Sequence, residues 1–64
     1  MTVGERLIAA RTQARLSVVT VSDKCGISAE ALRMYESGKR IPRDSVKAAL
    51  ADLYQIPIQQ LFFW

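Results

Sequence analysis

The chain has no histidine, one cysteine, three glycines, two prolines and no apolar run long enough to span a membrane. Each absence removes a class of protein. Cys25 alone cannot form an intramolecular bridge, and without histidine or a second cysteine a structural zinc site is not expected. Acid–base or nucleophilic machinery is missing too, since no paired carboxylates suggest a cleft. An enzyme is therefore not expected, nor a cofactor. A membrane span needs ~20 apolar residues, and no such segment or basic-then-apolar leader occurs. The expectation is a cytoplasmic, nucleoid-associated protein.

What is present is compact. The 64 residues are half hydrophobic, which suits one small all-helical domain over residues 1–64. Net charge is +3 with a pI near 9.5, mild in size but localised. Arg33, Lys39, Arg40, Arg43 and Lys47 fall close together, against Glu36 and Asp44. Such a patch is the electrostatic footprint expected where phosphates approach.

The pattern reads as five short helices, with no strand, repeat or linker. Thr2-Val3-Gly4-Glu5 has capping-box spacing and opens a first helix to about Ala14. Val3, Leu7, Ala10 and Ala14 make its inward stripe. Ser17 caps a second helix to Lys24 or Cys25, and Ser28 caps a third to about Ser37, closed by Gly38. Lys39 to Pro42 is a loop, because Pro42 disfavours helix before it. A fourth helix spans Asp44 to Tyr54, with Val46, Leu50 and Leu53 inward. Pro57 opens a last helix ending at Phe62 or Phe63.

Helices two and three carry the informative spacing. Val21 and Cys25 face a core one turn apart, Ser22 is small where a second helix crosses, and Gly26 tolerates positive φ at the turn. Ile27 plugs the angle, while Leu32 and Tyr35 bury the inner face of the next helix. This is a helix-turn-helix, an arrangement that puts its second helix into the major groove of DNA. Cys25 reads as packing rather than as a redox sensor.

Nearly the whole chain resembles the Cro/repressor-type, or XRE, family of lambda-repressor-like domains. The resemblance rests on Gly4-Glu5-Arg6-Leu7, Ala10-Arg11, Leu16-Ser17 and Cys25-Gly26-Ile27-Ser28. Above all it rests on Tyr35-Glu36-Ser37-Gly38-Lys39-Arg40-Ile41-Pro42, and it continues through Leu50-Ala51, Leu53 and Ile56-Pro57-Ile58 to Leu61. It implies a five-helix domain that binds double-stranded operator DNA, commonly as a symmetric homodimer, and regulates transcription. It also implies a buried ion pair between Arg11 and Glu36, fixing the third helix.

The positions matching the family's base readers are Ala29, Glu30, Arg33 and Met34. Arg33 can grip guanine O6 and N7 or neutralise a phosphate; Glu30 can accept from cytosine N4; Ala29 and Met34 can pack on thymine methyls. Each also has a plain reading, as helix former, dipole partner or packing residue. Ser37, Lys39, Arg40 and Arg43, with the backbone amides near Gly38, match the phosphate-contact region.

Val18 stands where the family commonly has Gln and retains only its backbone N–H for a phosphate. Val18, Val19 and Ile8 occupy positions usually polar. With Met34 they suggest an alternative, a scaffold that binds a protein partner such as another repressor. Phe63 and Trp64, left over once Leu61 and Phe62 cover helix four, suit a dimer contact. They can instead fold back on the core or abut a further domain.

Overall fold

Three hydroxyls start three helices in the same way. The side chains of Thr2, Ser17 and Ser28 accept the N–H of the residue three positions on, at 3.1, 3.1 and 3.0 Å. Thr2 completes a capping box, its own N–H donating to Glu5 Oε1 at 2.8 Å. That bond holds the Glu5 carboxyl below its usual range. In this computed structural model, which describes residues 1–63, the elements are α1 (Val3–Gln13), α2 (Val18–Cys25), α3 (Ala29–Glu36), α4 (Asp44–Tyr54) and α5 (Ile58–Phe62). No strand occurs among the described residues.

Four helix ends share one device. A residue in the left-handed region follows α1, α2, α3 and α4: Arg15 at φ 60°, Gly26 at 69°, Gly38 at 80° and Gln55 at 58°. The N–H one residue further on then donates back to a carbonyl inside the helix. The four pairs are Leu16 to Arg11, Ile27 to Ser22, Lys39 to Met34 and Ile56 to Ala51, at 3.0–3.1 Å. This is the Schellman stop, which usually seats an apolar residue after the left-handed one. Leu16, Ile27 and Ile56 are so seated, half-buried against the core. Lys39 is not; it is exposed and opens the loop after α3.

The core gathers Leu7 and Ala10 of α1, Val21 of α2, Leu32 and Tyr35 of α3, Val46, Leu50, Ala51 and Tyr54 of α4, and Leu61 and Phe62 of α5. α1 packs on α3 and α5, α2 on α3 and α4, and α4 on α5. Thus α3 lies between the helix before the motif and the motif's own first helix. Ser22 is buried as its small size demands, its Oγ donating to the Val19 carbonyl at 2.8 Å.

Some expected inward residues differ. Ala14 caps the end of α1 and is exposed, because that helix stops at Gln13. Cys25 and Leu53 pack against the core as expected but stay half-buried, and Tyr54 takes the deeper place on α4. Leu53 lies at the edge of the inward arc that Val46, Leu50 and Tyr54 span, and still packs against the core. Val18 is also a correction. Its side chain packs against the core rather than joining an outer apolar surface.

Gly4 has a role beyond the capping box. A Cβ there would overlap the carbonyl oxygen of Glu36. Only glycine lets the first turn of α1 close on the last turn of α3. No described helix is long and apolar enough to cross a membrane.

Candidate nucleic-acid interface

Placement of α3 depends on one side chain. Arg11 Nε meets Glu36 Oε2 at 2.8 Å and Nη2 meets Oε1 at 3.2 Å, a two-pronged grip. The third prong, Nη1, donates to the Leu16 carbonyl at 3.1 Å. The side chains are 20% and 8% exposed, and the bond to Glu36 raises the guanidinium pKa. Arg11 therefore joins three places: α1, the turn just before the α2 cap, and the end of α3. The contact to Leu16 had no sequence signal, since a backbone acceptor carries none.

With its inner side held, α3 turns Glu30 and Arg33 fully outward, while Ala29 and Met34 lie half-buried at the edges. Ser37, Lys39, Arg40 and Arg43 continue the exposed surface into the next loop. The side chains of Arg33, Lys39, Arg40 and Arg43 make no ion pair or hydrogen bond among the described residues. Glu30 makes none either.

The backbone donors differ from expectation. The N–H groups of Ser37, Gly38 and Lys39 already donate to the carbonyls of Arg33, Tyr35 and Met34. The Ser37 hydroxyl donates to Met34 as well, at 3.1 Å. Amides around Gly38 are therefore spent on closing the helix. Among the described residues, the N–H groups without a partner in this region include those of Arg40 and Ile41 in the loop, of Val18 and Val19 at the start of α2, of Ala29 and Glu30 at the start of α3, and of Asp44 and Ser45 at the start of α4. Free N–H groups at a helix start favour an oxyanion.

Elsewhere the titratable groups serve packing. Burial raises the half-exposed Cys25 thiol, so the reactive thiolate is disfavoured. Burial also raises the Tyr54 phenol, with Glu36 adding to the effect, and its hydroxyl has no hydrogen-bond partner among the described residues. Ile8 and Val19 are exposed, at 41% and 57%. Phe63 is 53% exposed beyond α5, and Trp64 lies outside the described residues.

The sequence matches a family model described as a helix-turn-helix domain over residues 2–61. A comparison with curated proteins found no match.

Proposed function

The chain belongs to the helix-turn-helix domain family, and on that premise we propose that it is a sequence-specific, DNA-binding transcriptional regulator of the phage-repressor or Cro type. One observation carries the reading: four exposed cations, Arg33, Lys39, Arg40 and Arg43, stand around α3 with no ion-pair or hydrogen-bond partner among the described residues. Charges left unpaired on one face are what a phosphate backbone neutralises.

In this reading α3 enters the major groove. Arg33 grips a guanine edge or an adjacent phosphate, Glu30 takes a cytosine amino group, and Ala29 and Met34 supply apolar contacts from the edges. Lys39, Arg40, Arg43 and the amides of Arg40, Ile41, Val18 and Val19 hold phosphates, setting register and affinity without choosing sequence. Residues 1–64 act as a single domain in the cytoplasm, without catalytic activity. Two copies meeting near Phe63 and Trp64 would place their α3 helices ~34 Å apart on a pseudo-palindromic site.

The second reading, a scaffold for a protein partner, keeps Ile8 and Val19, whose exposure favours it. It loses Val18, which packs inward. Selection from a random duplex pool, sequenced after recovery at low and moderate salt, separates the two. An enriched palindrome supports the regulator and its dimer. Weak retention erased by salt, with no motif, supports the scaffold, since apolar docking is little affected by salt.

A further inference from the structure

Between the first turn of α1, the α3–α4 loop and the end of α5 lies a cavity of about 480 Å³. Val3, Ile41, Pro42, Phe62 and Phe63 supply apolar walls. Arg40 and Lys47 line it too, and among the described residues no carboxylate side chain does. Two of the hydroxyls at its edge are engaged: Thr2 accepts from the Glu5 N–H and Ser37 donates to the Met34 carbonyl.

Lys47 is the unusual group. Its side chain is only 14% exposed, and its ammonium lies 4.7 Å from the Phe63 ring centre and 5.8 Å from that of Phe62. Its carboxylate partner among the described residues is Asp44, at 4.0 Å and fully exposed. The ammonium lies over two aromatic rings with its nearest carboxylate at the limit of an ion pair, so its charge is available to a further anion. An anion entering the cavity would meet that charge.

We propose that this cavity binds a small carboxylate with an apolar body, the carboxylate facing Lys47 and Arg40 and the body lying against Ile41, Phe62 and Phe63. The volume is within the range of small-molecule pockets, which pair apolar walls with a few fixed polar groups. A second copy of the chain fits the charge less well, because the segment from Ile56 onward has no acidic side chain to bring. Because Arg40 is also assigned to phosphates, an occupied cavity opposes DNA binding. That regulatory step rests on the proposed function, whereas binding of the carboxylate does not.

The test uses the full chain and two probes, sodium octanoate and uncharged 1-octanol, followed by amide NMR shifts. Octanoate is expected to move the amides of Val3, Ile41, Lys47 and Phe62. Lys47→Gln and Arg40→Gln should each weaken it by about tenfold, as loss of a charged hydrogen bond does, with octanol unchanged. Retained spectral dispersion shows that the variants fold, and the exposed Arg40 position keeps the test open if Lys47→Gln does not. Equal affinity for both probes, or no shift in these amides, overturns the site. So do cavity amides that respond to protein concentration but not to octanoate, which would make a second copy the occupant.

A labelled duplex then tests the regulation. Octanoate should release it, at about tenfold higher concentration for Lys47→Gln. A duplex that binds but is not released overturns the regulatory step. A duplex that never binds overturns the DNA-binding reading and that step with it, leaving the ligand site to its own result.

Discussion

The two faces of α3 are built on opposite terms. Inside, Leu32 and Tyr35 are buried and the Glu36 carboxylate is gripped by Arg11. Each inner group has its chemistry consumed by the fold. Outside, Glu30 and Arg33 make no hydrogen bond or ion pair among the described residues, and neither do the exposed Lys39, Arg40 and Arg43 that follow. A helix of eight residues therefore divides its work, one side being held and the other left for a partner. Stability and recognition should separate along that division.

The division is broken most severely from the inside. Glu36→Ala or Arg11→Ala should cost about 3 kcal/mol, because the remaining charge is left largely buried and unpaired. Urea unfolding would register this as a lower midpoint, with loss of DNA binding following from loss of fold. Gly4→Ala should cost about 1–3 kcal/mol by forcing α1 from the Glu36 carbonyl. That is a sharp test, since alanine is the better helix former by about 1 kcal/mol.

From the outside the pattern reverses. Arg33→Ala should shift stability by no more than about 0.5 kcal/mol. Its DNA affinity should fall by about tenfold, with relaxed choice at particular base pairs, measured by competition among duplexes. Lys39→Ala and Arg40→Ala should weaken all duplexes alike and flatten the salt slope by about one each.

The smallest effect concerns Tyr54, behind the inner face. Burial raises its phenol above the ordinary 10.0, so the unfolded chain ionises first. Its contribution is intact below pH 10 and declines as pH rises further. Tyr54→Phe should soften this alkaline decline and change neutral stability by no more than about 1 kcal/mol, since the hydroxyl lost has no partner.

The same division explains what could be read from residues alone. Caps at Thr2, Ser17 and Ser28, and stops at Gly26 and Gly38, are local chemistry written in residue type and spacing. The stops at Arg15 and Gln55 were not legible, because the following Leu16 and Ile56 anchor the chain to the core and impose the left-handed turn. Gly4 was invisible as a packing residue, since its partner is a backbone carbonyl 32 positions away. Val18 read as outer surface because the resembling family commonly has Gln there, yet as valine it packs against the core while Val19, one step along the helix, is exposed. On the outer surface, charge and spacing located the cations, but Glu30, Arg33 and Met34 do not name the bases they would meet.

The most direct measurement is amide shift mapping of the folded chain titrated with duplex DNA at low salt. The account predicts shifts concentrated at Val18 and Val19, along Ala29 to Met34 and through Lys39 to Arg43, reversed by added salt. Shifts centred instead on Ile8 and the outer side of α1, or none at all, would contradict it.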